Sequence, residues 1–237
     1  MFSPFKMKIL TWNCNGALRR KFELLEPFQA DIIIVQECEN PADANDKGYI
    51  NWAANYLWTG ENKNKGLGIF AGEGIRIRKL AWNSYGLQYF IPCKINDDFT
   101  LLGLWCHGAN SADFQYIGQL WRYLQKHKNK LNKSIIAGDF NSNVIWDRKR
   151  RCWNHSDVVR ELKEIKIESL YHRHFVGEEQ GKELQPTFYL HKNPTKPYHI
   201  DYIFSSEDFI KSFKHISIGA SDKWLNKSDH MPVCCEV

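Results

Sequence analysis

The sequence predicts an α/β protein in which two sheets pack face to face with helices on the outside. Strand-like and helix-like segments alternate through the first and middle thirds, and short strand runs separated by Gly and Asn turns lie between them. Neither an all-parallel sheet nor an all-β sandwich fits that order. The segments Asp31 to Cys38 (DIIIVQEC) and Phe99 to His107 (FTLLGLWCH) are apolar on both faces, as strands covered by layers on both sides must be. With 43% hydrophobic and 14% aromatic residues in 237 positions, there is enough apolar material for one large core. No linker rich in Gly, Ser or Pro divides the chain, so residues 1–237 read as one domain, with 1–6 as a short extension ahead of the first organised segment.

Lys8 to Cys14 (KILTWNC) is β-branched and aromatic and ends at Asn15-Gly16, a strand followed by a turn. From Ala17 to Phe28, the residues Leu18, Phe22, Leu25 and Phe28 recur at helical spacing among charges, which predicts an amphipathic helix that Pro27 ends early. The strand from Asp31 delivers Glu37 at its end, as the first strand delivers Asn13. An irregular stretch rich in Asn, Asp and Gly follows. Short strands are expected near 55–58, 66–71, 75–82 and 88–95, and Phe99 to His107 is a further buried strand. Phe114, Ile117, Trp121 and Leu124 predict a second amphipathic helix from an N-cap at Ser111 to Lys126, with the cations of Lys126 to Lys130 near its C-terminal end. Ile135 to Asn143 is an apolar run that ends in Gly138 and then alternates Asp139 and Asn141. A third helix is expected from Ser156 to Ile165, and strands from His199 to Ser205, Phe213 to Ile218 and Met231 to Val237.

Composition narrows the function classes. The net charge of +5 permits a polyanionic partner without demanding one. The seven cysteines show no paired zinc-type spacing, so reduced thiols in a cytoplasmic protein are the expectation. Cys14, Cys38 and Cys106 adjoin candidate functional residues and, on strands, face the opposite way into packing. No run reaches membrane-spanning length and the first residues do not form a signal peptide. A monomer with no membrane partner is expected.

Six strand ends carry polar residues: Asn13, Glu37, His107, Asp139 with Asn141, Asp201, and Asp229-His230. Each by itself is an ordinary turn former or solvated side chain. Together they repeat one positional rule, and ligand sites of layered α/β folds lie at such ends. Oxygen donors dominate the set, which suits Mg²⁺ or Mn²⁺ and not a closed zinc site. An imidazole with an Asp to fix its tautomer adds a group that exchanges protons near neutral pH. Metal, imidazole and amide suit attack of water on a phosphodiester.

Thr11-Trp12-Asn13, Gln36-Glu37, Gly138-Asp139-Phe140-Asn141, Ile200-Asp201-Tyr202 and Ser228-Asp229-His230, in that order, resemble the signature of the endonuclease/exonuclease/phosphatase superfamily over residues 8 to 237. The resemblance implies a four-layer α/β/β/α sandwich with two packed mixed sheets. It implies a divalent metal, Mg²⁺ or Mn²⁺, held chiefly by Glu37 with Asn13 and Asp229 nearby. His230 would be the general base or phosphate-polarising group, oriented by Asp201. Asp139 and Asn141 would position the attacking water and stabilise charge on phosphorus. His107 resembles the second histidine of the deoxyribonuclease and sphingomyelinase branches, where exonuclease III has a tyrosine-containing motif, and this departure weakens an abasic-site repair assignment.

The substrate expectation rests on Trp146-Asp147-Arg148-Lys149-Arg150-Arg151-Cys152-Trp153, four cations between two tryptophans. Arg and Lys clamp a phosphate backbone while an aromatic ring stacks on a base. Arg19, Arg20, Lys21, Lys63 and Lys65 extend the same rim, and Pro186 to Tyr189 resembles the aromatic stretch beside the site in nuclease members. A nuclease acting on DNA or RNA is the first expectation. A phosphoesterase acting on a lipid headgroup or small phosphorylated molecule is the alternative, and a non-catalytic nucleic-acid-binding module is the third.

Overall fold

The computed structural model describes residues 7–108 and 113–237. Four strands come first: β1 (Lys8–Asn13), β2 (Ile32–Cys38), β3 (Tyr56–Asn62) and β4 (Lys65–Ala71). The next are β5 (Ile77–Lys79), β6 (Phe90–Ile95), β7 (Phe99–Trp105), β8 (Ser134–Asp139) and β9 (Ile167–Ser169). Two-residue strands β10 (Phe188–Tyr189) and β11 (Pro197–Tyr198) form a ribbon, and β12 (Asp201–Ser206), β13 (His215–Ile218) and β14 (Val233–Glu236) complete the set. One six-stranded sheet has the order β13-β14-β1-β2-β4-β3, the other β5-β6-β7-β8-β12-β9. Each holds one parallel pair, β1 with β2 and β7 with β8, inside otherwise antiparallel neighbours. Both sheets are therefore mixed.

The burial pattern explains the layering. Ile9, Ile32, Ile34, Leu67 and Ile69 of the first sheet meet Ile91, Leu101, Ile135, Ala137 and Ile203 of the second in one apolar slab between them. Alternate residues of the same strands face outward into two further clusters. Leu102, Leu104, Ile136 and Phe204 are covered by two helices, at residues 117–127 and 155–164, through Leu120, Leu124, Val158 and Leu162. Leu10, Trp12, Ile33 and Val35 are covered by Leu18, Phe22, Leu25 and Tyr49. Helical layer, sheet, sheet and helical layer follow one another, because strands that are apolar on both faces need cover on both. Cys14, Cys38 and Cys106 are buried in packing, and only Cys152 of the seven free cysteines is exposed.

Several boundaries differ from expectation for local reasons. The segment 17–28 is not one α-helix but two short 3₁₀ turns, Leu18–Arg20 and Phe22–Phe28. Ala17 enters in the left-handed region at φ 53°, Lys21 breaks the path at φ −137°, and Pro27 lacks the donor an α-helix needs. Its apolar face is buried all the same. Helix α1 (Lys47–Trp52) arises within the stretch expected to be irregular, started by Asp46, whose Oδ1 accepts from the Tyr49 N–H at 2.8 Å. Helix α2 (Ile117–His127) begins later than expected, after Tyr116 at φ 53°, and Ser111 lies outside the described residues. Helix α3 (His155–Glu164) starts one residue early. There the Asp157 carboxylate accepts from the Asn154 N–H at 2.8 Å. Helix α4 (Leu170–His174) was not foreseen.

Candidate active site

The catalytic candidates gather where the two sheets end together. On the second sheet Asp139 closes β8 and Asp201 opens β12, and the antiparallel register pairs them directly. Neighbours in register on one face bring their side chains within reach. Gly138 makes this possible: its φ is 154°, and a Cβ there would stand 1.9 Å from the Leu104 carbonyl oxygen of β7. On the first sheet Asn13 closes β1. Glu37 stands at a bulge in β2, where pairing with β4 jumps from Gln36↔Leu67 to Cys38↔Gly66 and φ of Glu37 is 61°. The bulge turns a residue that strand alternation would bury out to the sheet end.

Hydrogen bonds join the two sheets across this end. The Asn13 NH₂ group donates to Asp139 Oδ2 at 3.1 Å and to Glu37 Oε1 at 3.3 Å, while its oxygen accepts from the Asn15 N–H at 3.0 Å. Asn141, in the left-handed region at φ 46°, donates its backbone N–H to Asp139 Oδ1 at 2.8 Å and its NH₂ to Oδ2 at 3.0 Å. His230 Nδ1 lies 2.9 and 3.1 Å from the two Asp201 oxygens, and its Nε2 faces Asp139 Oδ2 at 3.9 Å. Glu37 pairs with Lys65 Nζ at 2.9 Å. Asn13, Glu37, Asp139, Asn141, Asp201 and His230 thus form one connected cluster. Asp229 joins it by sequence and by its charge on His230.

Residues without an assigned role in the sequence hold these groups in place. The Ser228 hydroxyl donates to the Asn13 carbonyl at 2.7 Å and accepts from the His230 N–H at 3.0 Å. The Trp12 indole donates to the His230 carbonyl at 3.0 Å. Thr187 Oγ1 accepts from the backbone N–H groups of Ile200 and Asp201 at 2.9 and 3.0 Å. The Phe188 ring lies 4.6 Å from that of His230. Their presence in the motifs was the only signal, since a hydroxyl beside a strand has no periodicity of its own.

Electrostatics divide the labour. Burial alone would strip the proton from His230, but Asp201 and then Asp139 overcome it and raise its pKa to about 9. Burial raises Asp139 well above the carboxylate range, with Asp201 adding to the effect and His230 and the Asn13 hydrogen bond opposing it. The fold therefore favours an imidazolium beside a carboxyl group that takes up protons readily. His107 stands on the Glu37 side, edge-on to Trp105 at 4.6 Å and near Tyr89 at 5.8 Å. Burial, and then Lys65, lower its pKa. Among the described residues its Nδ1 has no partner.

The basic loop separates into free and committed side chains. Trp146 is exposed and packs against Tyr198 at 5.1 Å. Arg148, Lys149 and Arg150 are exposed, and the backbone of Arg148 is tied to the Asn154 side chain and to the Arg151 N–H. Arg151 is committed: its Nε donates to Asn154 Oδ1 at 2.8 Å and its guanidinium lies over Trp153 at 4.4 Å. Trp153 packs on Phe114 at 5.3 Å and against Gly118. A groove of about 620 Å³ opens here, running from Asn141 and Phe188 past Tyr198 and Trp146 to Arg148 and Arg151.

Two packed mixed sheets close here on acidic, amide and imidazole groups, and comparison with known proteins identifies the class as hydrolases of phosphoester bonds. The model of the Endonuclease/Exonuclease/phosphatase family matches residues 10–230. The chain belongs to this family. Among solved structures it is similar to a 3′ phosphatase, NExo, from Neisseria, bound to a product DNA hairpin, with TM-score 0.71 and 17% identity over 97% of this chain and 98% of the other. It is similar to an AP endonuclease from Archaeoglobus fulgidus, with TM-score 0.71 and 17% identity over the same shares. It also resembles the endonuclease domain of TRAS1, a telomere-specific non-LTR retrotransposon, with TM-score 0.66 and 17% identity over 98% of each chain. No curated protein matches. No helix among the described residues is long and apolar enough to cross a membrane.

Proposed function

We propose that the protein is a divalent-metal-dependent nuclease that hydrolyses phosphodiester bonds in DNA or RNA. The observation that carries this reading is the cluster of Glu37, Asn13, Asp139, Asn141, Asp201 and His230, opening beside a groove that carries both cations and aromatic rings. The DNA hairpin in the Neisseria structure and the name of the Archaeoglobus enzyme favour DNA as the first substrate to test.

The donor set suits Mg²⁺ or Mn²⁺. Glu37 and Asp229 offer hard oxygen atoms, and the neighbouring thiols of Cys14, Cys38 and Cys106 are turned into packing. Glu37 would hold the ion with Asp229, and Asn13 would tie Glu37 to Asp139. When bound, the ion supplies Lewis-acid stabilisation of charge on the phosphate. Asp139, Asp201 and His230 also present ligand atoms within 4.8 Å of one another, but both Asp201 oxygens are engaged by His230.

In this reading Asp139, fixed by Asn13 and Asn141, orients a water and accepts its proton as oxygen attacks phosphorus. His230, kept cationic by Asp201, polarises the phosphate through Nε2. The protonation balance favours the phosphate-polarising role for His230 over that of general base. Asn141 donates toward developing charge, and His107 approaches the phosphate from the Glu37 side. Arg148, Lys149 and Arg150 contact flanking phosphates, with Trp146 stacking on a base. The seven free thiols fit a reducing cytoplasm. The test is cleavage of end-labelled DNA and RNA, linear and circular, with one set of ends carrying a 3′-phosphate, in Mg²⁺ or Mn²⁺. Glu37→Gln and His230→Ala should each abolish cutting with the fold intact, and activity surviving both would refute the proposal.

A further inference from the structure

The Glu37 carboxylate is engaged on both oxygens, by side chains of different kinds. Oε1 accepts from the Asn13 NH₂ group at 3.3 Å, a neutral contact that a cation on the same carboxylate tolerates. Oε2 lies 2.9 Å from the Lys65 ammonium, which is itself a cation. A divalent ion and an ammonium cannot share one carboxylate oxygen without repelling each other, and salt screens so close a contact little.

Lys65 is placed by its backbone and left free by its side chain. It opens β4 and pairs with Asn62 of β3 across a tight turn, in which the Asn62 side chain accepts from the Asn64 N–H at 3.0 Å. The next residue, Gly66, stands opposite Cys38, just past the bulge that turns Glu37 outward, and a Cβ on it would be 2.4 Å from the Thr59 carbonyl oxygen. Turn and bulge thus set both backbone positions. The Lys65 side chain, by contrast, is 48% exposed, against 18% for Glu37, and an ion pair so open to water is held weakly. Among the described residues no other carboxylate lies within ion-pair distance of its ammonium. Its second neighbour is the Trp105 ring of the other sheet, 5.5 Å from Nζ, and that ring also carries His107 edge-on at 4.6 Å. The ammonium therefore stands between Glu37 and the His107 flank of the site, where it can turn from a carboxylate to a phosphate.

Resting on the nuclease reading with Glu37 as a metal ligand, we propose that Lys65 is a positioning residue that couples uptake of the metal to arrival of the substrate. Its ammonium holds the Glu37 carboxylate until a phosphate of the strand draws it away, and the freed oxygen then goes to the ion. Metal and nucleic acid each bind more tightly when the other is present, because each displaces the partner that the other must compete with.

The test reads binding, not cutting. Calorimetry of Mn²⁺ without nucleic acid should show about fivefold tighter binding in Lys65→Met than in the wild type, with Lys65→Gln alike and Lys65→Arg close to the wild type. Lys63→Met removes a charge from the same turn and should change Mn²⁺ affinity by less than about twofold. In EDTA, Glu37→Gln should tighten binding of a short oligothymidylate about fivefold when Lys65 is present and about twofold or less in Lys65→Met, since only the first background holds an ammonium to release. Three results would overturn the inference while Glu37→Gln still weakens Mn²⁺ binding and the metal reading stands. These are Mn²⁺ affinity unchanged or weakened in both Lys65→Met and Lys65→Gln, an equal gain in Lys63→Met, or the same Glu37→Gln effect on the oligonucleotide in both backgrounds. Mn²⁺ binding that Glu37→Gln leaves unchanged would remove the metal reading and this inference with it.

Discussion

Replacing Asp201 with Asn removes the carboxylate that does most to keep His230 charged while preserving shape and one acceptor. The interval from the ordinary histidine value of 6.5 to about 9 corresponds to about 3 kcal/mol of preference for the imidazolium in the fold, after burial has opposed it. Asp201 is the foremost contributor to that preference and Asp139 the next. In Asp201→Asn burial is opposed by Asp139 and, more weakly, by Asp229, so His230 gives up its proton at lower pH. If the cation is the working form, activity in the wild type falls as pH rises through about 9, and in the variant that alkaline limb moves down by about one pH unit or more. Loss of the carboxylate that orients the ring should also lower kcat by roughly 10²–10⁴-fold, as in other His–Asp pairs. The assay is kcat from pH 5 to 10 at saturating Mg²⁺ with a labelled oligonucleotide. An alkaline limb that stays put or moves upward in the variant would refute the assignment of charge to His230.

Four other outcomes are expected. Without metal, the raised His230 means that the folded chain binds the extra proton: its stabilisation is complete below about pH 6.5 and is lost as pH rises through about 9. The Tm should decline across that window, and the decline should shrink in Asp201→Asn. Glu37→Gln should weaken Mn²⁺ binding by roughly 100-fold or more, read by calorimetry. Neutralising Arg148, Lys149 or Arg150 should lower the salt slope of nucleic-acid binding by about one each, whereas Arg151→Ala should also lose about 1 kcal/mol of stability through Asn154. Gly138→Ala should destabilise by about 3 kcal/mol or more and yield little soluble protein, because its Cβ meets the Leu104 carbonyl.

The buried strands were legible because β-branched runs such as Ile32 to Val35 have only one comfortable environment, between layers. The candidate cluster was legible where polar residues interrupt such runs, at Asn13, Glu37, Asp139 and Asp201. Elsewhere the determinants lie between distant segments. The Trp12–His230 contact spans 218 positions, and nothing near either residue announces it. Periodicity found the apolar face of 17–28 but could not register the left-handed Ala17, so a 3₁₀ path was read as an α-helix. The basic loop looked uniform in sequence. Only the position of Asn154 distinguishes Arg151, which braces the fold, from Arg148, which is free to meet a ligand.

The placement of β14 between β1 and β13 joins segments that are far apart in the sequence. Thr11 pairs with Val233, 222 residues later (233 − 11). At about 5–20 residues per second, β1 waits roughly 10 to 45 s for that partner to leave the ribosome. Asn13 and Glu37 emerge early, but His230 and the Ser228 hydroxyl that holds it against Asn13 arrive with the last strand. The cluster described above is therefore assembled only when sequence-distant segments meet in one sheet.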